Sequence, residues 1–123
     1  MMLDLWTFAL LLEDIAPSFE VIEGRIFLDR EKVGREGLIN MMGSYKNIGE
    51  AQYWINMVPI DDLLKGACGK LSMSDPALEK ILNIYRRSWG SIIAAECGVT
   101  NGFSVELLKD TESGDIVVSL KQE

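Results

Sequence analysis

Carboxylates are the side chains best suited to acid–base chemistry in this sequence, because the chain contains no histidine. Histidine is the usual general base near neutral pH and the commonest metal ligand. The carboxylates form two adjacent pairs, Glu13-Asp14 and Asp61-Asp62. Neighbouring residues point oppositely on a strand and diverge by about 100° on a helix, so neither pair converges on one cleft. We interpret Asp61 as a helix cap and Glu13 and Asp14 as solvated residues at a strand end, and we predict no catalytic residue.

The cysteines and glycines also provide no cofactor site. Cys68 and Cys97 are 29 positions apart and form no CxxC pair, so we predict no metal. Both have small or apolar neighbours, which favours two buried free thiols over one disulfide. Residues 66–70 look faintly like a phosphate-binding loop. They lack the full spacing and the Ser or Thr after the lysine, so we interpret them as an ordinary loop and expect no cofactor.

The length and composition are those of one folded domain. The chain has 123 residues, of which 48% are apolar and 25% charged. We therefore assign residues 1–123 to a single α+β domain. It should contain an antiparallel or mixed sheet of four to five strands with one long helix packed on it.

The long helix and a terminal hairpin have the clearest signals. Asp75 is a good N-cap, Pro76 suits the first helical position, and Gly98 suits the C-cap. Apolar residues recur at three- and four-residue spacing between them, which predicts a helix over about 76–97. Alternating apolar residues in 103–107 and 116–120, with a Ser113-Gly114 turn signal between them, predict a C-terminal β-hairpin.

The N-terminal half has weaker signals. Residues 3–12 fit a buried strand or a short helix, and the aromatics Trp6 and Phe8 favour the strand and a place in the core. Residues 18–24 suggest a short helix, 25–28 a strand, 29–50 a loop with one helical turn at 38–42, and 51–58 a strand. On that last strand we expect Tyr53 and Trp54 to be core residues, with a recognition surface as the alternative.

The charge layout indicates the kind of partner. The net charge is −7, and residues 1–24 contain five acids and no base, whereas residues 98–123 contain five acids and two bases. Such a chain repels phosphate backbones and anionic membranes, so we predict binding to neither nucleic acid nor membrane. A basic protein would be attracted, although the same charge also serves solubility. The start of the chain has no basic segment, and the apolar run 5–12 is too short to span a bilayer, so we expect a cytoplasmic protein.

This overall profile resembles small acidic bacterial immunity proteins that neutralise toxins, including those of contact-dependent growth inhibition systems. The likeness rests on the acidic N-terminal segment, the acidic hairpin, the missing histidine and the α+β pattern. It implies a non-enzymatic inhibitor that occludes a basic toxin domain, such as a nuclease. We name seven carboxylates as candidate partner-binding residues: Glu13, Asp14, Glu20, Glu23, Asp110, Glu112 and Asp115.

Two other functions stay open at this point. One is an accessory or adaptor protein that binds another protein through apolar surface or a sheet edge. The other is a small carboxylate-based enzyme or ligand carrier, which would need two carboxyl groups in one concave pocket.

Overall fold

The computed structural model describes residues 5–61, 64, 72–110 and 112–122, and it confirms an α+β fold with a long helix and a C-terminal hairpin. The elements in these residues, in chain order, are α1 (Leu5–Ile15), β1 (Ser18–Ile22), β2 (Arg25–Asp29), α2 (Gly34–Met42), α3 (Ile48–Ile55), β3 (Met57–Pro59), α4 (Pro76–Cys97), β4 (Phe103–Lys109) and β5 (Ile116–Gln122). None of the helices in this part of the chain is long and apolar enough to cross a membrane.

The long helix α4 forms as its sequence predicts. Asp75 accepts a hydrogen bond from the Ala77 amide at 2.9 Å, Pro76 begins the helix, and Gly98 ends it with a left-handed φ of 68°. Its buried residues Leu78, Tyr85, Trp89 and Ile93 form one stripe that packs against β1 and β4. Burial of this stripe creates the main core of the protein.

The five strands of the described residues divide between two antiparallel sheets, where one sheet of four to five strands was expected. One sheet has the order β3-β5-β4, and the other is the β1-β2 hairpin. Glu23 and Gly24 form the tip of that hairpin, with φ of 52° and 76°. Two successive positive φ angles are typical of a type I′ turn, whose right-handed twist matches the flanking strands.

Buried amide side chains join the two sheets where a direct strand ladder is missing. The Asn56 side chain accepts from the Leu28 amide and donates to the Ile26 carbonyl, both at 2.8 Å. The backbone carbonyl of Asn56 accepts from the Leu120 amide of β5 at 3.2 Å. The Gln52 side chain donates to the Ile26 carbonyl, and the Gln122 side chain accepts from the Ile26 amide. We call Gln52, Asn56 and Gln122 the amide seam. The seam satisfies backbone groups of β2 that would otherwise be buried without partners.

Of the two alternatives for residues 3–12, the favoured strand is wrong and the helix is right, because residues 5–15 form helix α1. Their less exposed positions are 7, 10, 11, 14 and 15, which is the spacing of one helical face. The helix predicted over 18–24 is instead strand β1, since its backbone pairs with β2 from Ser18 to Ile22.

The strand predicted over 51–58 is also wrong for most of its length. Asn47 caps α3 by accepting from the Glu50 amide at 2.9 Å, and Glu50 accepts from the Lys46 amide at 3.3 Å. This Asn-x-x-Glu pattern is close to a capping box, a helix-start signal in the sequence that our interpretation missed. Only Met57–Pro59 is a strand. In the predicted loop over 29–50, the expected helical turn at 38–42 is the second half of α2, but the rest of α2 and the start of α3 are helix as well.

Candidate functional site

Asp14 is one of the seven predicted partner-binding carboxylates, and the structure buries it. The residue is 4% exposed. Its two oxygens accept hydrogen bonds from Arg30, at 2.8 Å from Nε and 2.9 Å from Nη2. The charge of Asp14 is therefore neutralised inside the protein.

The other acids of the N-terminal group lie at different places. Glu13 is exposed near the end of α1, Glu20 is half-buried on β1, and Glu23 is exposed at the β1–β2 turn. Glu20 is close enough to Cys97, at the end of α4, to act on it electrostatically.

The C-terminal group contains another carboxylate with a structural role. Asp110 is 9% exposed, and its oxygens accept from the Glu112 amide at 3.4 Å and from the Ser113 hydroxyl at 2.8 Å. It holds the hairpin loop in shape, as aspartate commonly does in turns. Glu112 is exposed and Asp115 is half-buried.

The Glu23 turn and the acids of the C-terminal hairpin lie at opposite ends of β5. Gln122, at one end of β5, donates to the Gly24 carbonyl at 3.1 Å, which places the Glu23 turn there. Asp115 precedes Ile116 at the other end of β5. Six residue steps of a strand separate these ends by roughly 20 Å. One compact partner surface therefore meets either Glu23 or the hairpin acids at its centre.

The largest exposed apolar side chains of α1 form a surface that the sequence did not indicate. Leu5 is 83% exposed, Trp6 74%, Phe8 46% and Leu12 49%. We call these four residues the α1 face. Trp6 and Phe8 were predicted to be in the core, and this is wrong because helical geometry turns them away from the side that packs on α4.

The carboxyl end of α1 is firmly anchored. The Trp89 indole donates to the Asp14 carbonyl at 2.9 Å, and the Ser88 hydroxyl donates to the Ile15 carbonyl at 2.6 Å. Together with the Asp14–Arg30 ion pair, these bonds tie α1 to α4 and β2. The α1 face is thus presented on a helix whose position is set by buried contacts.

Tyr53 and Trp54 are not core residues either. Tyr53 is 39% exposed and Trp54 half-buried, because adjacent residues diverge on α3. Their rings contact edge to face at 5.1 Å between centroids. Trp54 lines a cavity of about 160 Å³ together with Asp29 and Arg30. Asp29 accepts from the Val33 and Gly34 amides there, so its carboxylate is already used in the turn before α2.

The other carboxylate pair gives no acid–base arrangement in the described residues. Asp61 lines a cleft of about 530 Å³ with Ser72 and Lys109, and it is the one carboxylate among the described residues that line this cleft. Its Oδ2 accepts from the Ile116 amide at 2.8 Å, which is not the helix-capping role predicted for Asp61. Asp62 lies outside the described residues. Within the described ranges, no group of three or more His, Cys, Asp or Glu side chains could hold a metal ion.

Cys97 is a free thiol in a shielded, acidic environment. Partial burial, and then the nearby carboxylates of Glu96 and Glu20, raise the pKa of the Cys97 thiol above its ordinary value. Both effects disfavour the thiolate, so Cys97 is a poor nucleophile at neutral pH. Cys68, the other predicted free thiol, lies outside the described residues.

Comparison with protein-family models, with curated proteins and with solved structures finds no match.

Proposed function

We propose that this protein acts by binding another protein, without catalysis of its own, and that its partner docks on the α1 face. The observation that carries the proposal is the exposure of four large apolar side chains on one helix, with Trp6 at 74%. Contiguous exposed apolar surface on a soluble domain commonly marks a protein-interaction site. Tryptophan is also enriched among the residues that dominate binding energy.

The surroundings of the α1 face fit an interface with a polar rim. Glu13 follows Leu12 on α1 and is exposed. Apolar contacts at the centre and charged groups at the rim are the usual anatomy of a protein interface. Because α1 is already anchored through Asp14, binding a partner there should cost little conformational entropy.

The second candidate is the toxin inhibitor that the overall profile suggests. The net charge of −7 and the exposed carboxylates Glu13, Glu23 and Glu112 favour it, because they would steer a basic partner toward the protein. Because roughly 20 Å separates the Glu23 turn from the hairpin acids, a basic partner centred on one of these sites would meet the other at the rim of the interface. Asp14 and Asp110 are poor contact residues in either case, since internal bonds engage them.

The first experiment tests which surface binds. The purified protein is used to capture partners from its native host, alongside Trp6→Ser and the matched control Ile39→Ser. Ile39 is an apolar residue on α2 that is 47% exposed, close to the value for Phe8. We expect Trp6→Ser to lose the captured partner and Ile39→Ser to keep it. A partner retained equally by Trp6→Ser would contradict docking on the α1 face.

The second experiment separates the two candidate functions by salt. Affinity through the α1 face should change little between about 0.05 M and about 0.5 M NaCl, because apolar burial is not screened. Binding steered by carboxylates should associate at least tenfold more slowly at the higher salt. Glu23→Gln and Glu112→Gln should then reproduce part of that loss, whereas Trp6→Ser should not.

A further inference from the structure

Strand β4 is the edge of the three-stranded sheet in the described residues, and its ladder shows which groups point outward. The Asp110 amide donates to the Asp115 carbonyl at 2.8 Å, and Asp110 and Asp115 continue the β4–β5 register. Hydrogen-bonding direction alternates along an antiparallel strand. The N–H and C=O groups of 104, 106 and 108 therefore face β5, and those of 103, 105, 107 and 109 face away from the sheet.

The outward side of β4 is almost free of partners. Arg86 of α4 donates from Nε to the Val105 carbonyl at 2.9 Å, which agrees with this alternation. Among the described residues, no group bonds to the outward backbone of Phe103, Leu107 or Lys109.

In the other sheet, side chains bond to part of the outward backbone of both strands. On β1, the Phe19 amide donates to Glu96 at 3.2 Å, and Arg35 donates to the Val21 carbonyl. On β2, the amide seam takes the outward groups of Ile26 and the Leu28 amide. This contrast makes β4 the one seven-residue strand of the described chain whose outward backbone is largely unpaired.

We infer that the outward edge of β4 binds an extended segment of a different protein by strand addition, and that Arg86 competes for that edge. Unpaired N–H and C=O groups at every second residue match an extended backbone. The net charge of −7 repels a second copy of this chain, which favours a different protein as the occupant. The occupant would have to displace Arg86 from the Val105 carbonyl. This inference does not depend on the α1 face.

Amide hydrogen exchange tests the edge in the free protein. We expect the outward amides of Phe103, Leu107 and Lys109 to exchange at least a hundredfold faster than the inward amides of 104, 106 and 108. Val105 is left out of this comparison because the residue is only 4% exposed. Equal protection of both sets in dilute protein would show that the edge is covered and would overturn the inference. Protection that grows with protein concentration would assign the edge to a second copy and would overturn it as well.

A synthetic peptide with the sequence of residues 116–122 serves as the probe, because that sequence already pairs with β4 on its other side. Strand addition should slow exchange of the outward amides and leave the inward ones unchanged. Exchange of the peptide for β5 itself would alter the inward amides. No protection of the outward amides at millimolar peptide would overturn the inference.

Two pairs of variants make the test specific. Arg86→Ala should tighten peptide binding about threefold to tenfold, since one competing hydrogen bond is removed, and the exposed neighbour Arg87→Ala should not. Lys109→Pro removes one outward amide and should weaken binding by about the same factor, whereas Lys109→Ala keeps that amide and should not. Unchanged protection of the inward amides confirms that each variant is folded. Equal effects within either pair would overturn the assigned contacts.

Discussion

Replacing Asn56 with alanine should lower the free energy of unfolding by about 2–4 kcal/mol, because this residue joins the two sheets. Asn56 is 0% exposed. Truncation removes the one acceptor that the buried Leu28 amide has among the described residues, and a buried donor without a partner costs about 1–3 kcal/mol. The Ile26 carbonyl keeps a bond from Gln52 at 3.1 Å, so its loss is smaller. The remainder comes from the small cavity left by the amide group.

The variant Asn56→Asp should make the free energy of unfolding depend on pH through this site. A carboxylate there can still accept from the Leu28 amide, but its other oxygen would face the Ile26 carbonyl, where Asn56 now donates. Burial and this repulsion would raise the pKa of the introduced Asp above its unfolded value of about 3.9. A raised folded pKa means that the folded state binds more protons. The penalty relative to the original protein should therefore be smallest near about pH 4 and grow as pH rises through that raised pKa.

Urea unfolding followed by tryptophan fluorescence measures both variants, because Trp89 is fully buried in the core. Asn83→Ala is the matched control, since Asn83 is exposed on α4, and it should change stability by less than about 0.5 kcal/mol. A cost below about 1 kcal/mol for Asn56→Ala would refute the joining role. A penalty for Asn56→Asp that is the same at about pH 4.5 and about pH 7.5 would refute the buried location.

Three further predictions concern contacts that hold α1 and α4 in place. Arg30→Ala should cost about 2–4 kcal/mol in urea unfolding, because it leaves the Asp14 carboxylate buried without its ion pair while Arg30 itself is 37% exposed. Gly98→Ala should cost about 1–2 kcal/mol, since the helix end needs a left-handed φ of 68°. The Cys97 thiol should react with iodoacetamide more slowly than a free cysteine at about pH 8, and Glu20→Gln should speed the reaction by lowering the thiol pKa.

Each of these three predictions has its own control. Alkylation is measured with Cys68 replaced by serine, so that one thiol reacts. Asp14→Asn in the Arg30→Ala protein should recover part of the lost stability, and no recovery would contradict an unpaired buried charge. Gly90→Ala is the control for Gly98, because Gly90 lies inside α4 with open space at its Cβ position; this change should be neutral or stabilising.

Local signals in the sequence were enough to predict the long helix α4 and the C-terminal hairpin. Asp75, Pro76 and Gly98 specify both ends of α4, and the alternating strands around Ser113-Gly114 specify the hairpin. Caps, turns and periodicity involve residues within a few positions of each other, so they can be recognised without knowledge of the fold. The α+β class followed from these two elements, and the structure confirms it.

The conformation of the N-terminal segment and the roles of the carboxylates depend on contacts between residues far apart in the sequence. Trp6 and Phe8 are compatible with a buried strand or an exposed helix face, and the choice depends on how α1 packs against α4, about 75 residues away in sequence. The sequence suggests that Asp14 is a surface charge, but in the structure it is buried and paired with Arg30. It suggests that Asn56 is a polar strand residue, but in the structure Asn56 is buried between β2 and β5. Burial and pairing of a polar group depend on residues far along the chain, because the cost of desolvation is set by whatever the fold brings next to it.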